Sequence, residues 1–86
     1  MGATSNHVRG MHVLPVKDGT AVVLCVQNAE KKFSIYNMVI ADKTAAKDLV
    51  DYIRANRDGQ SINISFNGNI FSFNEKSVEC VHTVQF

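Results

Sequence analysis

The fold is decided by residues 61–73, SINISFNGNIFSF, in which two runs of alternating apolar and polar side chains meet at Asn67-Gly68. Asn and Gly both tolerate positive φ, which a type I′ turn requires at its two central positions. The stretch therefore predicts a β-hairpin with Asn67-Gly68 as its two-residue loop. This loop pairs apolar residues on one face of the hairpin, Ile62 with Phe73 and Ile64 with Phe71. The opposite face is small, polar and uncharged.

Three strands are predicted upstream, at Met11–Val16, Thr20–Gln27 and Phe33–Ala41. The second is continuously apolar and β-branched, which is typical of a strand covered on both faces. Asp18-Gly19 predicts a two-residue turn before it. Pro15 cannot donate a hydrogen bond to a neighbouring strand, so the first strand should lie at an edge of the sheet.

Between residues 43 and 57 the apolar period changes to that of a helix. Its apolar stripe contains five residues, Ala45, Ala46, Leu49, Val50 and Ile53. Asp42 or Thr44 can cap its N-terminus. A final strand is predicted at Ser77–Phe86. The fold class is α+β, an antiparallel sheet in the order βββ-α-βββ with one mid-chain helix packed on it. Residues 1–8 are predicted to be a flexible tail, and residues 9–86 a single domain.

The 86 residues carry nine Lys and Arg against eight Asp and Glu, so the formal net charge at pH 7 is +1. A dedicated nucleic-acid binder usually has a basic surface, because phosphate contacts supply much of its affinity. We find no signal peptide and no apolar run as long as a transmembrane helix. We therefore expect a cytoplasmic protein without a membrane partner, in which Cys25 and Cys80 remain reduced.

Both faces of the first three strands are apolar, and a single helix cannot cover both. Either the sheet closes toward a barrel, or a second copy covers the remaining face. For a homodimer we predict contact through the face that also carries polar side chains, because interfaces tolerate such mixing better than cores do. The predicted interface residues are Leu14, Val23, Tyr36 and Met38.

One cluster on the predicted interface face could carry chemistry. If Asp18-Gly19 and Asn28–Lys31 are the two loops, His12, Cys25 and Ser34 form a lateral row across three strands. A Cys beside a His can act as an activated thiolate, so this row is the one enzymatic hypothesis that we retain. Its apolar neighbours favour a structural role, and we predict no catalytic residues.

No phosphate-binding loop or dinucleotide motif is present in the sequence, so no cofactor is expected. Cys80 and His82 share a face of the last predicted strand. Two ligands are too few for a metal site, and we predict none.

The sequence thus predicts a small non-enzymatic interaction protein, such as a bacterial or phage regulator or inhibitor, that acts through protein contacts as a homo-oligomer. Two alternatives remain. One is a nucleic-acid-binding module that uses the sheet face with four basic residues, Lys31, Lys32, Arg54 and Arg57. The other is a small-ligand-binding protein with its site at a subunit boundary.

Overall fold

The computed structural model describes residues 6–55 and 63–86. These residues form seven strands and one helix, which confirms the predicted α+β class. The first strands and the helix are β1 (His7–Val16), β2 (Gly19–Gln27), β3 (Phe33–Ile40) and α1 (Lys43–Ala55). The remaining strands are β4 (Ile64–Asn67), β5 (Ile70–Phe73), β6 (Lys76–Glu79) and β7 (His82–Gln85).

The described strands form two antiparallel sheets. The large sheet has the order β1-β2-β3-β7, and the small sheet has the order β4-β5-β6. β1 is an edge strand, as Pro15 predicted. The prediction of a single strand at Ser77–Phe86 was wrong. This segment contributes to two strands, β6 in the small sheet and β7 in the large sheet. Within residues 6–55 and 63–86, no pairing joins β1 to β7, so the large sheet does not close into a barrel.

β1 is four residues longer than the sequence predicted, and it includes His7 and Val8 from the predicted tail. A bulge between Val8 and Gly10 explains the difference. A bulge inserts an extra residue and so breaks the period-2 alternation that identifies a strand. Val8, only 2% exposed, belongs to the hydrophobic core. Residues 1–5 of the predicted tail lie outside the described residues.

The Asn-Gly hairpin forms, but its loop is one residue further along than predicted. Asn67 pairs with Ile70, so Gly68 and Asn69 are the loop residues. Only Gly68 of these two has positive φ, at 62°, which is the pattern of a type II′ turn. Consequently Ile64 pairs with Phe73 instead of Phe71. The partner changes by two residues, so the side chains keep their predicted face. Ser61 and Ile62 lie outside the described residues.

The loop between β2 and β3 has five residues, 28–32, instead of the four predicted, because Gln27 pairs with Phe33. The Asn28 side chain closes this loop, its Oδ1 accepting hydrogen bonds from the amides of Glu30 (2.9 Å) and Lys32 (3.0 Å). A register change of one residue moves every side chain of a strand to the other face. The face assigned to β3 from the sequence is therefore wrong.

The helix forms as its apolar stripe predicts, and it packs against β2, β3 and β6. Asp42 is the N-cap, because its Oδ1 accepts from the amides of Thr44 (2.9 Å) and Ala45 (3.2 Å). Four residues of the stripe are buried, Ala46, Leu49, Val50 and Ile53. Lys47 and Asp51 pair across one turn at 2.8 Å on the exposed side, and this hydrogen bond raises the pKa of Lys47.

The two sheets are joined by aromatic packing. The Tyr36 ring of the large sheet lies 5.4 Å from Phe66 and 6.1 Å from Phe71, measured between ring centroids. Phe71 is fully buried. On the helix, Tyr52 packs against Phe73 of the small sheet at 5.5 Å. Burial of a large apolar side chain contributes about 1.5–3 kcal/mol, so these contacts hold the small sheet against the large one.

The type II′ turn predicts unequal effects at its two loop positions. Gly68→Ala should lower the free energy of unfolding by about 1–2 kcal/mol, because alanine resists positive φ. Its added Cβ meets no atom within 4 Å, so the cost comes from the backbone alone. Asn69→Ala is the matched control and should change stability by less than about 0.5 kcal/mol. Urea denaturation measures both, and equal losses would indicate a type I′ turn instead.

Candidate interaction face

The two faces of the large sheet have different surroundings. Val22, Leu24 and Val26 point to the face beneath the helix and the small sheet, where all three are buried. The residues that alternate with them point to the opposite side, which we call the outer face. In the two central strands the outer face is formed by Ala21, Val23, Cys25 and Gln27 of β2 and by Phe33, Ile35, Asn37 and Val39 of β3. Phe33 is 59% exposed and the other seven are half-buried, so the described chain leaves the outer face uncovered.

The pairing registers place the outer-face residues in rows across the four strands. One row is Leu14–Ala21–Val39–His82, and the next is His12–Val23–Asn37–Val84. A third row is Gly10–Cys25–Ile35–Phe86, in which backbone hydrogen bonds of 2.9 and 3.1 Å join Phe86 to Ile35. Leu14 is 57% exposed and Phe86 is 75% exposed. Apolar side chains therefore extend from one edge of the outer face to the other.

Charged side chains are nearly absent from the outer face. At its described positions the strands contribute no Asp, Glu or Lys. Arg9, in the bulge, reaches one end of the face by donating a hydrogen bond from Nε to Gln27 Oε1 (3.0 Å). In an antiparallel sheet with one face in water, apolar and polar residues usually alternate along each strand, so the exposed face carries the polar side chains. The outer face instead combines many apolar side chains with uncharged polar ones such as Asn37 and Gln27 and with three histidines.

The structure separates the four predicted interface residues. Leu14 and Val23 lie on the outer face, whereas Tyr36 and Met38 lie in the core and are 8% and 0% exposed. The extra residue in the β2–β3 loop is the physical reason for this correction, because it turns Tyr36 and Met38 inward. Ile35 and Val39 take their places on the outer face. Since both faces of β3 are apolar, its sequence pattern alone could not distinguish the two sets.

The predicted row of His12, Cys25 and Ser34 does not form. His12 pairs with Val23, whereas Cys25 pairs with Gly10, because Lys17 and Asp18 form the turn between β1 and β2. His12 and Cys25 therefore occupy the same face in adjacent rows. Ser34 pairs with Val26 and points to the opposite face. The three side chains do not make the contacts that an activated thiolate would need.

The basic residues named for nucleic-acid binding lie on different elements. Lys31 and Lys32 are in the β2–β3 loop, where Lys32 Nζ lies 4.0 Å from Glu30 Oε1. Arg54 is in the last turn of the helix, which packs on the side of the sheet away from the outer face. Arg57 lies outside the described residues. The described basic side chains thus do not converge on the outer face.

A polar cleft of about 430 Å³ lies between Ser34 and Tyr36 of the large sheet and β4 of the small sheet. Asn and Ser side chains predominate in its lining, which carries no charge. Its Asn74 already has structural partners, because Oδ1 accepts from the Asn63 amide (2.9 Å) and Nδ2 donates to Tyr52 Oη. Asn28, another lining residue, closes the β2–β3 loop. The side chains of Asn74 and Asn28 therefore already form hydrogen bonds within the chain.

Cys25 and Cys80 are both free thiols in different surroundings. Cys80 is 4% exposed, and this burial raises the pKa of its thiol. Cys25 is half-buried on the outer face. Over residues 6–55 and 63–86, no three His, Cys, Asp or Glu side chains come together as a metal-ligand set. Cys80 and His82 thus acquire no third ligand among the described residues.

In the part of the chain that the structure describes, no helix has the length and apolarity needed to cross a bilayer. No protein-family model, curated protein or solved structure matches the chain. The hypotheses about function therefore depend on the geometry of its own surfaces.

The two cysteines should differ in reactivity. At neutral pH and low micromolar protein concentration, iodoacetamide should modify Cys25 at least about tenfold faster than Cys80, because the buried thiol is less accessible and less ionised. Mass spectrometry of proteolytic peptides over time measures both rates. In denaturant the two rates should converge. Equal rates in the folded protein would mean that the Cys80 side of the core opens readily.

Proposed function

We propose that this protein is a non-enzymatic interaction module that works as a homodimer, with the outer face as the contact between the two copies. The observation that supports it is an uncovered, apolar sheet face whose described strand positions carry no Asp, Glu or Lys. Such a module acts on its partner by contact, as a regulator or inhibitor does. The proposal includes a cytoplasmic setting, where Cys25 and Cys80 stay reduced.

The charge distribution favours a second copy as the occupant. A two-fold interface brings the same patch of each subunit together. A charged side chain near the axis therefore lies close to the same charge of the other copy. The central positions of the outer face avoid this repulsion, because they are Val23, Ile35, Asn37 and Val39 with small neighbours. Arg9 lies at one end, away from these positions. The face can therefore pack against its own copy at neutral pH.

The size of the face is also sufficient. Four strands about 4.8 Å apart and about eight residues long cover roughly 500 Å². Two copies packed face to face would bury about 1,000 Å² in total, which reaches the lower range of specific interfaces. Two stacked sheets pack about 10 Å apart, as the layers of a β-sandwich do. A dimer of this type supplies the second layer that the large sheet lacks on its outer side.

The same features favour this proposal over its alternatives. Phosphate recognition needs clustered Lys and Arg, whereas Lys31 and Lys32 lie in the β2–β3 loop and Arg54 lies in the last turn of the helix. A small ligand at a subunit boundary would require the dimer first. The homodimer is therefore the hypothesis to test first.

Val23→Glu is the most direct test of the outer face. Val23 lies in a central strand between His12 and Asn37, so the substitution places a carboxylate in the middle of the proposed contact. At about 100 µM the parent protein should show twice its chain mass of 9.5 kDa by light scattering. The variant should dissociate at least about a hundredfold more readily, because an interfacial charge without a partner is costly.

The matched control is Val81→Glu, the same substitution at a residue that is 55% exposed and lines the cavity beside the start of the helix. This variant should remain dimeric. Circular dichroism should show that both variants are folded. A parent protein that is monomeric at high micromolar concentration would refute the proposal, and so would equal dissociation of the two variants.

Modification of Cys25 supplies an independent readout. Because Cys25 lies on the outer face, its alkylation rate should fall as protein concentration rises and dimers form. The rate at Cys80 should not change. Salt-dependent binding to a single-stranded oligonucleotide, lost in a Lys31→Glu/Lys32→Glu variant, would instead favour the nucleic-acid-binding alternative.

A further inference from the structure

All three histidines of the chain lie on the outer face. His12 pairs with Val23 and His82 with Val39, and both imidazoles are exposed in the isolated chain. His7 pairs with Gln27 at one end of the same face. Histidine is the side chain whose charge ordinarily changes between pH 5 and pH 8. A surface that is otherwise nearly free of charge thus concentrates the groups that become cationic at mildly acidic pH.

The other titratable groups near these histidines do not offset such a charge. β2 contributes Cys25, and β3 contributes no ionisable side chain at its outward positions. Arg9 in the bulge of β1 is cationic and lies close to His7, through Gln27. Lys17 and Asp18 carry opposite charges in the turn that follows β1. β7 adds no carboxylate. In a dimer, the facing sheet would present the same set again.

His12 and His82 lie on the two edge strands, β1 and β7, of the large sheet. The two-fold axis of a face-to-face dimer lies in the plane between the two sheets. When the strands of the two sheets are roughly aligned, as in a β-sandwich, this axis runs close to the strand direction or close to its perpendicular. The first arrangement places β1 over β7 of the other copy, and the second places β1 over β1 and β7 over β7. In both arrangements, each histidine-bearing edge therefore meets another histidine-bearing edge.

We propose that pH controls dimerisation through the outer face, with neutral His12 and His82 permitting association and their protonated forms opposing it. This inference rests on the proposed homodimer. An apolar interface disfavours a charged imidazole, both by desolvation and by repulsion from the imidazoles of the facing copy. The dimer therefore binds fewer protons than two monomers. By linkage, lowering the pH shifts the equilibrium toward monomers, and raising it restores the dimer.

The size of the effect depends on how many imidazoles must remain neutral. Each imidazole that must be neutral in the dimer can raise the dissociation constant up to roughly tenfold between pH 7.5 and pH 5.5, because histidine ordinarily changes its charge within about this range. His12 and His82 contribute four imidazoles per dimer. The dissociation constant should rise at least about tenfold over this range, and up to on the order of ten-thousandfold if all four take part.

Sedimentation equilibrium on the full chain at pH 8.0, 7.0, 6.0 and 5.5, at constant ionic strength, tests the inference. A His12→Gln/His82→Gln variant keeps polar side chains but cannot become charged. It should stay dimeric at pH 5.5, where the parent dissociates. His7→Gln is the matched control on the same face, at the end where Arg9 already supplies a charge, and it should dissociate as the parent does. Circular dichroism at each pH checks that the chain stays folded.

The outcomes separate the two proposals. A parent protein that is dimeric at pH 8.0 and equally dimeric at pH 5.5 overturns the pH inference while supporting the homodimer. A parent that is monomeric at pH 8.0 overturns the homodimer itself, and the pH inference with it. Dissociation of the double variant at pH 5.5 in step with the parent would show that other groups respond. Loss of the pH response in His7→Gln alone would likewise overturn the role of His12 and His82.

Discussion

The stability of the fold depends on burial of the inner face of the large sheet, which is the face beneath the helix and the small sheet. Leu24 and Met38, at the centre of that face, are fully buried. The helix contributes Leu49 and Ile53 to the same core, and the small sheet contributes Phe71. A domain of this size buries a limited share of its surface, so its stability depends on packing both elements against one sheet. The cap at the helix start and the type II′ turn position these two elements.

The same packing leaves the large sheet covered on one side only. β2 is apolar on both sides, and the helix and small sheet together occupy only the inner one. The outer face thus combines many apolar side chains with the exposure of a surface. Uncovered apolar surfaces of this extent often mark interaction sites. In a dimer, the two large sheets would pack against each other, and each would keep its helix and small sheet on the other side. Each large sheet would then be covered on both sides.

The chain also distributes its ionisable groups unevenly. Among residues 6–55 and 63–86, carboxylates and lysines lie in turns, on the helix or in the small sheet, as Asp51 and Lys47 illustrate. The histidines lie on the outer face. Histidine is the side chain whose charge ordinarily changes between pH 5 and pH 8, so the outer face carries the groups on which a pH response of the proposed dimer would depend. The same residues that make the face compatible with dimerisation would therefore make the dimer sensitive to pH.

The sequence by itself determined the secondary-structure class, the helix stripe, the edge position of β1 and the two faces of the Asn-Gly hairpin. Each follows from local periodicity or from the backbone limits of Pro and Gly. It could not determine which face of β3 is buried, because Tyr36 and Met38 on one side are as apolar as Ile35 and Val39 on the other. The tertiary structure decided this through one additional loop residue, since a shift of one residue reverses the faces of a strand. It also brought His12 and His82, 70 positions apart in the chain, onto one surface, because only the pairing of β1 with β2, β2 with β3 and β3 with β7 places the edge strands in a common sheet.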